Sequence, residues 1–284
     1  MPQNRTIQAG ASTTFTASVT GLPPFYFQWY SNGIPIIGAN SSSLTIANAQ
    51  LYKAGAYSVV VSNAYGAATS ISAMLNVITP SFAIALNAPS FSWSSSGNAP
   101  WFGVTDTTHD GSSAARSGMI ADNQQSSLTT AIPGPGTVRF WWKVSSQSGG
   151  DYLRFLINGT EQVSRSGEAD WQQRSFPLSA GENTVSWVYA KNASVSSGQD
   201  AVWVDQVEFL APAPASIASP TALGNGSLQF TLQSDPGIAY EVQVSTNLAT
   251  WTSLTTITNT SGSATYTTSV DNSRCRFYRL KLVQ

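Results

Sequence analysis

Between residues 133 and 189 lie Phe140, Trp141, Trp142, Trp171 and Trp187, set in segments of alternating character. Large rings at every second position require a pleated strand with one face against a core. In 138–144, Val138, Phe140, Trp142 and Val144 share one face, and Arg139, Trp141 and Lys143 the other. Trp142 is thereby assigned to a core, while Trp141 stands between two basic residues on the opposite side. In 183–190, Val185, Trp187 and Tyr189 share a face, so Trp187 is also a core residue. The same alternation, broken by Gly, Pro and Asn-Gly, recurs along the chain. It predicts an all-β protein, with three β-sandwich domains in tandem over 284 residues.

Composition narrows the function. With 13 Lys+Arg against 14 Asp+Glu and a net charge of −1, no basic stripe is present to neutralise a phosphate backbone. Nucleic acid is excluded as a partner. No apolar run reaches the roughly 18 residues of a membrane span, so no membrane insertion by this segment is expected. Cys275 is the sole cysteine, which leaves no internal disulfide and no thiolate zinc cluster. Stability must come from buried area, and 12 Phe, 10 Tyr and 9 Trp supply it. Met1-Pro2-Gln3-Asn4-Arg5 is not the start of a signal peptide. The Ser, Thr, Asn, Gly and Gln-rich surface is that of a secreted protein, and we read the chain as a segment of a longer secreted polypeptide with further domains.

Residues 1–79 form the first unit, with strands expected at 14–19, 25–30, 43–46, 57–62 and 70–77. Its motifs are Gly21-Leu22-Pro23-Pro24, Gln28-Trp29-Tyr30, Asn32-Gly33, Leu44-Thr45-Ile46, Ala54-Gly55-Ala56-Tyr57 and Asn63-Ala64-Tyr65-Gly66. In these it resembles an immunoglobulin domain of the intermediate set in a cysteine-free bacterial form. The resemblance implies that Trp29 is the core tryptophan. It makes Tyr57 a tyrosine corner, bonded to backbone near 51–54. It puts Ala17 and Val59 where the paired cysteines would stand.

Residues 80–210 form a second unit holding seven of the nine tryptophans. Strands are expected at 83–87, 112–116, 126–132, 137–144, 152–157, 172–177, 183–190 and 201–210, a number that suits a jelly roll. Asn158-Gly159 is a hairpin turn. The pieces Phe140-Trp141-Trp142-Lys143-Val144-Ser145, Leu153-Arg154-Phe155, Gly181-Glu182-Asn183 and Val204-Asp205-Gln206-Val207 resemble a jelly-roll module of bacterial surface proteins, related to MAM-type and concanavalin-like sandwiches. Residues 211–219, with alternating proline, are read as a linker. Residues 220–284 form the third unit. Tyr240-Glu241-Val242-Gln243, Trp251 and Arg276-Phe277-Tyr278-Arg279-Leu280 resemble a fibronectin-type-III-like module, whose small core Trp251 is expected to cap.

No catalytic residue is assigned. The single histidine, His109, lies in Asp106-Thr107-Thr108-His109-Asp110-Gly111, read as a solvated turn. No G-x-S-x-G elbow accompanies it, and nothing pairs two carboxylates across a cleft. Two ligand sites are expected instead. A glycan would stack on exposed aromatics, with Trp101 and Trp141 as platforms and Asn98 and Arg139 as polar neighbours. Trp101 follows Gly97-Asn98-Ala99-Pro100, read as a loop. A structural Ca²⁺ would take oxygens from Asp205 on the last strand, Asn87 ending the first, and the loop residues Asp106 and Asp110. No other cofactor is required.

The functional expectation is a non-catalytic structural or binding segment of a bacterial secreted or cell-surface protein, serving adhesion, spacing or presentation. Its partner is a surface glycan or a protein. The alternative is a carbohydrate-binding accessory region of a polysaccharide-degrading system, and the third reading is a hydrolase.

Overall fold

The computed structural model describes residues 1–269 and 275–283. It is all-β, built from several stacked sheets. No helix is long and apolar enough to cross a membrane. The chain divides into two compact units. One comprises Met1–Thr130, Phe140–Arg174 and Val185–Glu208, and the other Ala131–Arg139, Ser175–Thr184 and Phe209–Gln284.

The first unit opens with a sandwich. A six-stranded sheet carries Arg5–Gln8 parallel to Ala73–Ile78, which pairs with Gly55–Asn63, then Tyr26–Ser31 and Ile34–Pro35, with Gly66–Thr69 also paired to Gly55–Asn63. Thr13–Thr16 and Ser43–Ile46 form the facing two-stranded sheet. Phe15 stacks on Tyr57 at 4.9 Å and lies 6.3 Å from Trp29 between the layers. Ala17 and Val59 are both buried in this core, so apolar packing occupies the place of a disulfide. Trp29 is fully buried, and its indole N–H donates to the Ser41 carbonyl at 2.9 Å. The Tyr57 hydroxyl donates to the Lys53 carbonyl at 2.7 Å. The expected tyrosine corner is formed.

Further along the chain an eight-stranded sheet is built. The 83–87 stretch, expected as a strand, is instead a single helical turn, Phe82–Ala85. Ser81 precedes it as an extended residue whose carbonyl accepts the N–H groups of Ile84 and Ala85. A continuous apolar run this short does not separate helix from strand by period. The segments 126–132 and 137–144, expected as two strands, join into one continuous strand, Gln125–Ser145. Likewise 172–177 and 183–190 join in Glu168–Ala190. A Cβ on Gly134 would lie 1.9 Å from the Ser179 carbonyl oxygen, so glycine permits that close approach. Trp187 is fully buried among Phe140, Phe155 and Trp93. Trp142 is 1% exposed, as the alternation requires.

The last strand, Ala201–Leu210, departs from alternation. Residues 201–205 are buried on both faces, and Gln206 adopts φ 49°. That left-handed residue breaks the pleat and lets the Val207 N–H reach the Leu86 carbonyl at 2.8 Å.

The second unit holds two three-stranded sheets. One orders Ser216–Leu223, Ser227–Gln233 and Ser263–Ser269, and the other Thr252–Asn259, Ile238–Ser245 and Phe277–Leu282. Ser216–Leu223 overlaps the expected linker, leaving only 211–215 without regular structure. Its residues pair with the hairpin partner across Leu223↔Ser227 to Ser216↔Gln233, a tertiary gain that proline spacing does not reveal. Trp251, expected to cap the core, is half-buried, while Phe230, Leu232, Ile238, Tyr240 and Val242 are buried. It lies under the Arg279 guanidinium at 4.2 Å.

Candidate functional site

Three groupings in the first unit bring together side chains with chemistry to offer. The first surrounds His109. Its ring stacks on Trp141 at 3.7 Å and meets Trp171 edge-on at 5.9 Å. All three are half-buried, so the expected solvated turn is a packed loop. Asp205 accepts the backbone N–H of His109 at 2.7 Å, whereas ring Nδ1 faces Gln206 Oε1 at 2.6 Å. The imidazole is therefore oriented by an amide and not by a carboxylate, which is not the arrangement of a catalytic triad.

The expected glycan residues do not make one platform. Trp101 is 3% exposed, because the stretch before it is no free loop. Trp93–Gly97 is a strand paired with Ser126–Thr130, and the Trp101 N–H bonds Ser95 Oγ at 2.8 Å. A buried indole offers no face to a sugar. Asn98 is exposed, but its side-chain oxygen accepts the Gln125 N–H at 3.1 Å and holds the hairpin end. Trp141 is half-buried under His109, and Arg139 is half-buried in its own strand.

The second grouping contains three of the four expected calcium ligands. Asn87, after the helical turn at φ 56°, donates through Nδ2 to Asp110 Oδ2 at 3.0 Å. Asp110 Oδ1 accepts the Ser112 N–H at 2.7 Å. Asp205 is fully buried, and its Oδ2 takes the N–H groups of His109 and Asp110 at 2.7 and 3.3 Å. Asp106 is occupied elsewhere, accepting the Tyr52 hydroxyl at 2.6 Å. Asp205 Oδ1 is the buried oxygen here without a partner. Calcium takes six to eight oxygens, whereas here Asp110 and Asp205 Oδ2 already accept N–H groups and Asp205 Oδ1 is the one carboxylate oxygen of the group left open. Among the described residues no group of three or more His, Cys, Asp or Glu is arranged to hold a metal. As arranged, the group offers an ion one open carboxylate oxygen. Burial drives the Asp205 carboxyl up to about 6, against the pull of the His109 N–H, with Asp110 adding to the rise.

The third grouping was not legible from sequence. Strands Phe102–Val104, Ala114–Arg116 and Ala201–Leu210 run side by side, with Phe102 opposite Arg116 and Arg116 opposite Trp203. That register puts the Arg116 guanidinium 5.7 Å from each of the two ring centres. Tyr52, from the 3₁₀ turn Leu51–Lys53 of the first sandwich, covers it at 5.3 Å. Arg116 is 9% exposed, and its Nη1 is buried without a hydrogen-bond partner. Burial lowers its pKa, opposed by the fields of Tyr52, Asp106 and Asp200. Tyr52, Asp106, Thr107, Arg116, Met119, Gln199 and Trp203 line a cavity of about 350 Å³. The Tyr52 phenol is pushed up to about 12, mainly by burial and then by Asp106.

Beside this cavity Gln50 is fully buried. Its Nε2 donates to Thr105 Oγ1 at 3.0 Å, and its Oε1 accepts the Thr105 N–H at 3.2 Å. Gly10, at φ 85°, leaves room there, since a Cβ would come within 2.7 Å of Thr105 Oγ1.

Residues 1–77 match the family described as Immunoglobulin I-set domain. No curated protein matches the chain. Among solved structures, the secreted serine protease VesC from Vibrio cholerae is similar at 12% identity and a TM-score of 0.34, over 70% of this chain and 44% of that one. An I-band fragment of titin is similar at 16% identity and a TM-score of 0.25, over 100% and 91%. Sidekick-1 immunoglobulin domains 1–5 are similar at 15% and 0.25, over 99% and 56%. The chain thus spans less than half the length of the protease. The I-set match gives residues 1–77 the character of a structural or binding module.

Proposed function

We propose that this chain is a non-catalytic binding and presenting segment of a bacterial secreted or cell-surface protein, joined to further domains. The observation that carries this reading is the buried Gln50–Thr105 clasp. It ties the immunoglobulin-like module to Thr105, just past the strand Phe102–Val104, as a presenting segment needs. The use of the carboxylates supports the absence of catalysis. Asp200 is held by Lys191 and by the Tyr189 hydroxyl at 2.6 Å. Asp170 pairs with Lys143 at 2.7 Å, and Glu168 accepts Ser145 Oγ at 2.8 Å. Each serves local structure. The test is labelling of intact cells with an antibody raised against this segment. Surface signal is expected, and protein found only inside the cell overturns the reading.

A second reading is a carbohydrate-binding accessory region. It is supported by the contact of three half-buried rings, His109, Trp141 and Trp171. A glycan array comparing the natural chain with Trp141→Ala tests it, and equal signals from both proteins remove that platform.

A further inference from the structure

Burying a guanidinium is costly unless its N–H groups find acceptors. Most buried arginines meet that cost with a carboxylate fork. Arg116 meets part of it with three aromatic faces, Tyr52, Phe102 and Trp203, each a favourable cation–π contact. These rings offer no lone pair, and Nη1 stays without an acceptor. The neighbouring acids do not fill that role. Asp106 receives the Tyr52 hydroxyl, and Asp200 is engaged by Lys191 and Tyr189. The residue nevertheless borders a cavity of about 350 Å³, within the range of ligand sites of about 300–1,000 Å³. A largely buried guanidinium that borders a cavity and has no hydrogen-bonded acceptor is the recognition half of an anion site.

The rest of the lining narrows the anion. Asp106 is exposed, and Thr107 and Gln199 add polar groups. A multiply charged phosphate would be repelled by the Asp106 carboxylate, which lines the same cavity. A single carboxylate carrying hydroxyls would not, because its hydroxyls donate to Asp106 while its charge pairs with Arg116. We propose that the cavity around Arg116 binds the carboxylate of a small hydroxylated acid, the chemistry of a uronate sugar or of a free hydroxy acid. This goes beyond the presenting role and does not depend on it, since binding is measured on the isolated chain.

The test titrates the full 284-residue chain with sodium glucuronate, with glucose as its uncharged counterpart, and with sodium acetate, followed by calorimetry. Saturable binding of glucuronate is expected, with glucose weaker by about tenfold or more, the worth of one charge-assisted pair. Arg116→Gln is expected to bring glucuronate down to the level of glucose. Acetate binding as well as glucuronate overturns the hydroxyl half of the proposal and leaves recognition of the carboxylate alone. Weaker acetate binding, with a further loss in Asp106→Asn, adds the hydroxyls. Arg116→Gln also removes cation–π contacts and its fold must be checked by melting. Met119→Trp supplies the independent arm. Met119 is 65% exposed at the cavity, so a larger ring there blocks entry and leaves the guanidinium intact. Glucuronate binding no better than glucose, or unchanged by Met119→Trp, overturns the proposal.

Discussion

Gln50 and Thr105 hold each other in both directions. The amide nitrogen gives to the threonine hydroxyl at 3.0 Å, and the amide oxygen takes the threonine N–H at 3.2 Å. The two residues lie 55 positions apart, and Gln50 is fully buried. Gln50 Nε2 also donates to Asn48 Oδ1 at 2.9 Å, so what truncating Gln50 strands is the Thr105 N–H. Gln50→Ala is expected to cost about 1–3 kcal/mol, read as a lowered melting temperature. An unchanged melting curve would show that water replaces the amide without loss.

The tyrosine corner is a separable hydrogen bond. Tyr57→Phe keeps the ring stacked on Phe15 and removes only the donor to the Lys53 carbonyl. The expected loss is about 0.5–1.5 kcal/mol in denaturant unfolding, with the slope unchanged.

Trp187 fills the centre of its sandwich, against Phe140, Phe155 and Trp93. Trp187→Ala leaves a cavity among rigid rings that cannot close over it. A loss of about 3–5 kcal/mol is expected, enough to remove most of the stability of a marginal domain. A small loss, under about 1 kcal/mol by urea titration, would contradict this packing role.

Asp205 makes stability depend on pH. Its carboxyl is raised to about 6 in the folded state, above its ordinary value. The folded chain thus binds this proton more tightly than the unfolded one. The favourable contribution is fully present below about pH 4 and is lost as pH rises through about 6. Asp205→Asn is expected to flatten the stability profile between these limits, removing a slope worth roughly 1–3 kcal/mol. Parallel pH profiles for both proteins would rule out Asp205 as the source.

In the Asp205–Asp110–Asn87 group N–H donors occupy Asp110 and Asp205 Oδ2, which leaves Asp205 Oδ1 as the one open carboxylate oxygen, too few for an ion. A chelator is therefore expected to leave the melting temperature unchanged. A fall of several degrees on chelation, restored by calcium, would identify the open Asp205 oxygen as a ligand.

Much of the fold was legible because burial obeys period. Trp142 and Trp187 alternate with polar residues, and both are buried. Trp29 and Tyr57 sit in the motifs that carry the immunoglobulin resemblance, and the core and corner that the resemblance implies are formed. Legibility failed where no period operates. The 83–87 stretch is too short to distinguish strand from turn of helix. Trp101 follows a Gly-Asn-Ala-Pro sequence that reads as a loop, yet a strand pairing upstream carries it inward. Asp106 and Asp110 are close in sequence but serve different partners, Tyr52 and Asn87.

The sequence by itself determined the class of the protein: all-β, without disulfides, its sandwiches held by aromatic cores. Those properties follow from local alternation and from composition, which every stretch of chain carries within itself. Only the tertiary structure decided where the unusual chemistry lies. Arg116 ends a short strand with no motif around it. Its neighbours Tyr52, Phe102 and Trp203 come from three distant segments. Strand register, a long-range property, lines up Phe102, Arg116 and Trp203. Burial by the first sandwich then leaves the guanidinium without an acceptor for Nη1. A charge becomes a binding group through what surrounds it, and that surrounding is assembled only when the chain has folded.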